Sequence, residues 1–153
     1  MVFQLKRKQL LKSDINTVWD FVSSPSNLSK ITPSYMLFEI TSDNKNEKMY
    51  PGMIISYKVA PILNIKMNWV TEIKHVVTNK FFIDEQRVGP YSIWHHQHFF
   101  EDTNEGVLMT DIITYKPPFG MIGILANYII INKKLKSIFD YRFKVMEQKF
   151  NNV

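Results

Sequence analysis

The sequence contains no cysteine and few glycines, and both shortages limit the chemistry available to it. With zero Cys among 153 residues, it cannot form a disulfide framework, a thiolate metal site or a cysteine nucleophile. Five Gly leave no glycine-rich loop of the kind that cradles phosphates, and the usual short catalytic motifs are absent. Any chemistry therefore depends on histidines and carboxylates.

Long hydrophobic runs are missing as well. Lys6, Arg7 and Lys8 interrupt the N-terminal segment, which excludes a secretory signal peptide. The most apolar stretch, 119–131, has 13 residues with Asn127 among them, whereas a membrane span needs about 20. We expect a buried or interfacial helix there, and a cytoplasmic protein, which the absence of cysteine also favours.

Aromatic and methionine side chains are abundant, with 11 Phe, 7 Tyr, 3 Trp and 8 Met. Hydrophobic residues make up 45% of the chain, which excludes a disordered protein. The length predicts one domain over residues 1–153, because domains typically run ~100–200 residues. Phe, Trp and Met fill ordinary cores, but a cavity for a flexible apolar ligand would be lined in the same way. Both interpretations remain open.

Alternating apolar and polar residues predict an antiparallel sheet of about seven strands. Two short helices follow the first strand, because apolar residues recur at helical spacing after Ser13 or Asp14 and Pro25 suits a first helical position. Polar, turn-like connections join the later strands, which is typical of a meander. The predicted strands are 3–12, 35–42, 52–60, 63–76, 79–87, 92–102 and 106–116.

The C-terminal segment predicts one long helix from about 120 to 150. No proline follows Pro118, and apolar residues recur at spacings of three and four. They are residues 128, 131, 135, 138, 139, 143, 146 and 150. The order β-αα-β6-α therefore predicts an α+β fold in which a curved antiparallel sheet wraps around this helix, with room for a ligand between the layers.

The basic surplus of the chain lies on that helix. Residues 119–153 hold six Lys/Arg and two Asp/Glu, a net +4 of the total +5. A solvated outer face is one interpretation, and transient contact with an anionic membrane is another. We expect no nucleic-acid partner, because exposed aromatics do not alternate with the lysines. The oligomeric state stays undetermined. The predicted outer face carries Lys133, Lys134, Lys136, Lys144 and Lys149.

Several polar residues are predicted to face the interior. Period two places His96 and His98 on the same face of a strand as Trp94 and Phe100. On 106–116 the more apolar set is Val107, Met109, Asp111, Ile113 and Tyr115. On 63–76 the inner set is Ile65, Met67, Trp69, Thr71 and Ile73. On 79–87 periodicity leaves two sets open, Phe82-Asp84-Gln86 and Phe81-Ile83-Glu85. A meander would then gather Asp84, His96, His98, Asp111 and Tyr115.

Three interpretations of this cluster stay open. It is an internal hydrogen-bond network, or the polar end of a ligand pocket, or a catalytic or metal site. In the catalytic case His96 or His98 is a general base oriented by Asp84 or Asp111. Two histidines on one strand with a carboxylate resemble a facial metal site, but no third close histidine or paired glutamate accompanies them. We therefore expect neither a metal nor a cofactor.

The element order and a scattered motif carry a resemblance to a known family. The motif comprises Asn27-Leu28, Ile31-Thr32-Pro33, Phe82, Asp84, Gln86, Gly89-Pro90-Tyr91, Trp94, His96, His98, Phe100, Asp111, Tyr115, Pro118, Gly120, Leu135, Ile138-Phe139 and Tyr141-Arg142. The chain resembles the START-like (SRPBCC) superfamily, which holds lipid-transfer domains, polyketide cyclases and plant proteins that bind hydrophobic ligands. Within it, a bacterial single-domain group has the most similar pattern.

The resemblance implies a helix-grip fold around an apolar cavity, and it selects the Phe82-Asp84-Gln86 set. We expect the cavity to bind a small hydrophobic or amphipathic molecule, which the protein could then transport. Alternatives are a cyclase- or dehydratase-type enzyme, which we favour less, and a non-enzymatic interaction module or cell-division-related partner. The expected apolar wall is Met67, Trp69, Phe82, Trp94, Phe100 and Met109. The expected polar end is Asp84, Gln86, His96, His98, Asp111 and Tyr115.

Overall fold

Seven strands form one antiparallel sheet in the computed structural model, which describes residues 1–61 and 64–151. The sheet order is β1-β7-β6-β5-β4-β3-β2, so every strand after the first pairs with its neighbour in sequence and β1 closes against β7. The predicted meander is confirmed. The strands are β1 Phe3–Leu11, β2 Glu39–Ile40, β3 Ile54–Val59, β4 Met67–Val77, β5 Phe81–Val88, β6 Ile93–Thr103 and β7 Gly106–Lys116.

Three predicted strands were clearly too long, and the one expected over 52–60 spans only Ile54–Val59. The strand expected over 35–42 is only Glu39–Ile40, because a 3₁₀ helix covers Ser34–Met36 and Leu37 takes a left-handed φ of 49°. The strand expected from 63 begins at Met67, and residue 63 itself lies outside the described residues. Ile65 was predicted to face inward, but it precedes the strand and is 59% exposed.

Two short helical segments follow β1, as predicted. Helix α1 spans Ile15–Val22, and its N-cap is Asp14, whose carboxylate accepts from the Thr17 backbone N–H at 2.9 Å. This cap satisfies one of the N–H groups that a helix start leaves unpaired. The second predicted helix is a 3₁₀ helix over Pro25–Ser29, with the proline at its first position as expected.

The C-terminal helix has the predicted extent but not a uniform geometry. Helix α2 covers Gly120–Ala126, a π-helical turn covers Asn127–Ile131, and helix α3 covers Asn132–Phe150. The wider π turn rotates the chain, so Asn127 is fully buried and Tyr128 is 60% exposed, against prediction. Phe143 was also predicted on the buried face but is 39% exposed. The predicted residues that are buried are Ile131, Leu135, Phe139, Met146 and Phe150.

Polar and apolar contacts hold α3 over the β1–β7 side of the sheet. Gln9 donates from Nε2 to the Phe143 carbonyl at 3.0 Å and to Glu147 at 2.8 Å, and Arg7 pairs with Asp140 at 2.7 Å. The apolar part of this contact is Leu5, Ile113, Tyr115, Ile131, Leu135 and Phe139. Helix against curved sheet is the α+β architecture predicted. Among the described residues, no helix is long and apolar enough to cross a membrane.

Candidate functional site

A cavity of about 140 Å³ lies between α3 and the concave face of the sheet. Its wall comes from strands β3 to β7, from α3 and from the helical segments after β1. Most of the wall is apolar, and Ile55, Val59 and Ile73 are almost fully buried there. An apolar cavity of about 150 Å³ holds one benzene molecule in another protein, so this space suits a group of about that size.

The cavity wall contains seven of the twelve residues predicted to bind a ligand. These are Trp69, Phe82, Asp84, Trp94, His96, His98 and Met109. The remaining five do not line the cavity. Phe100 packs edge-on against Trp19, with ring centroids 5.6 Å apart, and Met67 packs at the edge of a core group that includes Trp69.

Two of the predicted polar residues have other partners. Gln86 donates from Nε2 to the Tyr91 carbonyl at 2.7 Å and accepts from the Tyr91 N–H at 3.2 Å, so it braces the connection between β5 and β6. Tyr115 donates its hydroxyl to Asn127 Oδ1 at 2.9 Å, which ties β7 to the π turn. Neither belongs to the polar end of the cavity that the sequence predicted.

Four side chains do meet, and we call Asp84, His96, His98 and Asp111 the His–Asp cluster. Strand register explains the meeting, because His96 lies opposite Asp84 across β5–β6 and His98 lies opposite Asp111 across β6–β7. His98 bonds Asp84 Oδ2 through Nε2 at 3.0 Å and Asp111 Oδ1 through Nδ1 at 2.8 Å. The two imidazole rings lie 3.7 Å apart.

His96 is hydrogen-bonded through one ring nitrogen only, as far as residues 1–61 and 64–151 show. Its Nε2 lies 3.0 Å from Asp111 Oδ1, while its Nδ1 lies 3.8 Å from Asp84 Oδ2, beyond hydrogen-bond distance. Asp111 contacts both imidazoles from the side away from the cavity. It does not line the cavity, whereas the other three residues do. The polar end of the cavity is built from Asp84, His96 and His98.

Burial and hydrogen bonding give the two histidines different protonation states. Burial, together with the neighbouring His98 charge, lowers the pKa of His96 to about 4, so it is neutral. Burial also opposes charge on His98, but hydrogen bonds to Asp111 and Asp84 outweigh it and raise the His98 pKa. Burial likewise acts against charge on both carboxylates, and their bonds to the histidines overcome it and lower the pKa of each.

These shifts predict a stability maximum near pH 6.5, the ordinary histidine value. As the pH falls from there to 4, the unfolded chain binds a proton that native His96 does not, so the free energy of unfolding falls. As the pH rises through the raised His98 pKa, native His98 loses the proton that stabilises it, and the free energy of unfolding falls again. Urea titrations from pH 4 to 9 measure both limbs.

The matched control for that experiment is His95, which lies on the opposite face of β6 and contacts Glu85 at 2.9 Å. His96→Gln should flatten the acid limb, whereas His95→Gln should leave it unchanged. An acid limb of equal slope in both variants would show that burial of His96 is not its cause.

Sequence reasoning missed several wall residues. Arg142 lies on the cavity wall with its guanidinium 4.9 Å from the Phe139 ring, and its Nε has no hydrogen-bond partner among the described residues. It belongs to the motif of the resemblance, but nothing in the motif indicates its direction. Thr71 bonds Tyr57 Oη and Trp69 Nε1, each at 3.1 Å, and was predicted to face inward but not to line a site.

Known structures share this fold across almost the whole chain. Protein NE0264 from Nitrosomonas europaea is 16% identical, with 95% of each chain covered and a TM-score of 0.64. TTHA0849 from Thermus thermophilus is 14% identical, with 95% of each chain covered and a TM-score of 0.67. The major latex-like protein 151 from Panax ginseng is 13% identical, with 97% of each chain covered and a TM-score of 0.69.

These neighbours include Bet v 1-like plant proteins, among them the latex-like protein and Ara h 8.0201. No protein-family model and no curated protein sequence matches the chain. At identities this low the likeness concerns the fold, and it agrees with the sheet order and the C-terminal helix described above. The chain adopts the helix-grip fold.

Proposed function

We propose that this protein is a single START-like domain over residues 1–153 that binds a small hydrophobic or amphipathic molecule in the cytoplasm. The observation that carries the proposal is the cavity between α3 and the sheet, which has an apolar wall and one polar end. Ligand sites generally combine these two features. The fold similarity to Bet v 1-like proteins supports a binding role.

The dimensions of the cavity limit the size of the ligand that it can hold. About 140 Å³ accommodates one aromatic ring or a short branched group, and a longer ligand would have to displace α3 or extend to solvent. Among the described residues, Nδ1 of neutral His96 has no hydrogen-bond partner, so in the metal-free protein it accepts from a hydroxyl or amide of the ligand. Arg142 offers N–H groups to a carbonyl or carboxylate oxygen.

Filling the cavity tests this proposal. Ile138 lines the cavity from α3 and is half-buried, so Ile138→Trp should occupy the ligand's space. We expect wild-type protein to show a thermal shift with at least one of a panel of single-ring and short-chain amphipathic compounds, and Ile138→Trp to bind that compound at least tenfold more weakly. Ile124→Trp is the matched control, since Ile124 is half-buried in α2 and does not line the cavity.

If no compound shifts the melting temperature of wild type, or if both tryptophan variants bind equally well, the cavity is not the binding site. Chemical analysis of the recovered compound separates the binding role from the cyclase- or dehydratase-type alternative. Binding returns the compound unchanged, whereas catalysis returns a product.

We also propose that the protein contacts anionic membranes, because exposed apolar residues gather at one end of the sheet. Antiparallel pairing places the start of β1, the end of β7 and the start of β6 at this end, and α2 follows directly. Phe119, Met121 and Ile122 are 81%, 86% and 74% exposed. We call this surface the apolar end; it comprises Met1, Val2, Val88, Ile93, Phe119, Met121, Ile122 and Leu125.

Charge favours a lipid surface as its partner. Three chain segments that reach the apolar end, 1–13, 86–100 and 112–139, contain no Asp or Glu. They do contain lysines, and negative headgroups attract a basic residue near the surface by about 1 kcal/mol each. The sequence predicted membrane contact through the basic C-terminal helix, and α2 is the apolar start of that helix. In the proposed contact its apolar side chains enter the membrane surface and the lysines flank it.

A further inference from the structure

We infer that the His–Asp cluster binds one divalent transition-metal ion through Asp84, His96 and His98. The inference builds on the cavity of the proposed function, because the site opens into it. The sequence predicted two histidines on one strand near a carboxylate, without a third histidine or a paired glutamate. The fold supplies that ligand from β5, since Asp84 Oδ2 lies 3.0 Å from His98 Nε2 and 3.8 Å from His96 Nδ1.

The spacing of the three donor atoms suits a metal ion. All three atoms lie within 4.8 Å of one another. An ion about 2.0–2.2 Å from each donor holds its ligand atoms roughly 3.0–3.5 Å apart. Small rotations of the side chains therefore close the site without any change in the strands. Two imidazoles and one carboxylate are a donor set that first-row metals such as zinc and iron(II) share.

Asp111 orients both imidazoles for this role. Its Oδ1 lies 2.8 Å from His98 Nδ1 and 3.0 Å from His96 Nε2, so it accepts an N–H from each ring. The opposite nitrogen of each ring, His98 Nε2 and His96 Nδ1, then presents a lone pair toward Asp84. A carboxylate behind a metal-binding histidine is the usual arrangement for fixing its tautomer.

The metal would take the place of the proton between His98 Nε2 and Asp84 Oδ2, and that proton leaves to solvent. Three protein ligands leave at least one coordination position, which faces the cavity, as in sites where a metal binds a small molecule. Two carboxylates balance the ion's charge, and Arg142 on the same wall adds a positive charge. The loaded site therefore favours a ligand with an anionic oxygen, such as a carboxylate or phenolate.

Titration of chelator-stripped protein with Co²⁺ tests the inference, because cobalt bound to imidazole and carboxylate has visible absorption bands. We expect one ion per chain with saturable absorption. His96→Gln and Asp84→Asn should each weaken binding at least tenfold. His95→Gln, which removes a histidine from the opposite face of β6, should leave binding unchanged. Melting curves identify any variant that fails to fold. If one of His96→Gln and Asp84→Asn does not fold, the cobalt affinity of the other variant is the test.

Absence of saturable binding to wild type, or an equal loss in His95→Gln and His96→Gln, would overturn the inference. Apolar-ligand binding to the stripped protein is measured separately. If the protein binds cobalt but no apolar ligand, the proposed function is wrong and the metal site stands. If it binds an apolar ligand but no cobalt, only the metal site is wrong.

Discussion

Asp111→Ala should lower the free energy of unfolding by about 3–5 kcal/mol, the cost of removing one partner from a buried charge pair. Both histidines lose a hydrogen bond in this variant, and His98 keeps a charge that only Asp84 then compensates. His96, His98 and Asp111 are almost fully buried and the Asp84 side chain is 14% exposed, so solvent replaces little of the missing carboxylate. Urea unfolding at pH 6.5 with a chelator present measures the loss.

The control for this prediction is the surface pair on the other side of the same strands. His95 and Glu85 have the same kinds of ionisable group and a similar separation of 2.9 Å, but each side chain is 34% exposed. Glu85→Ala should therefore cost no more than about 1 kcal/mol, as exposed pairs do. Comparable losses in Asp111→Ala and Glu85→Ala would show that the His–Asp cluster does not contribute to stability as a buried network.

Met121→Asp combined with Leu125→Asp should reduce binding to anionic vesicles at least tenfold. Both side chains are exposed on α2 at the apolar end, and burying a large apolar side chain contributes about 1.5–3 kcal/mol. The new carboxylates also repel the headgroups. Co-sedimentation with vesicles of phosphatidylcholine and phosphatidylserine measures the change, and raising the salt concentration should weaken wild-type binding.

Matched substitutions at the opposite end of the sheet show whether the loss of vesicle binding depends on where the charges are added or only on the added charge. Ile54 begins β3 and Val77 ends β4, and both are partly exposed. Ile54→Asp combined with Val77→Asp adds the same charge and should leave vesicle binding within about twofold of wild type after allowing for the altered net charge. Equal losses of vesicle binding in the two double variants would indicate an effect of charge only and would contradict the proposed contact. If the apolar end instead binds a second copy of this chain, the protein dimerises without vesicles.

The sheet could be predicted from sequence because its strands alternate strictly. Trp94, His96, His98 and Phe100 share a face at period two, and all four side chains lie inward in the structure. Adjacent strands in a meander are close by necessity, so strand order and periodicity predicted the meeting of His96, His98 and Asp111. Periodicity left the face of Asp84 open, and only the family resemblance selected it. The fold class and the extent of the C-terminal helix were predictable for the same reason, since periodicity and proline position determine both.

Side-chain partners that depend on non-periodic geometry could not be predicted. Tyr115 was expected beside the histidines, but the π turn brings Asn127 within 2.9 Å of its hydroxyl. Nothing in a regular helical pattern indicates where such a turn occurs. Gln86 similarly bonds the Tyr91 backbone, which depends on the path of a turn. The sequence indicated the α2 part of the apolar end, since 119–131 is the most apolar stretch, but not the residues just before β1 and those of β5 and β6 that join it, because they are distant in sequence.

Native mass spectrometry of gently purified protein tests the central claim most directly. We expect the mass of the wild type to exceed that of the chain by a bound small molecule, which is released on collisional activation. The same excess should be present in Ile124→Trp and absent from Ile138→Trp. A wild-type protein that carries no adduct, and acquires none from the compound panel, would contradict the claim that the cavity under α3 binds a ligand.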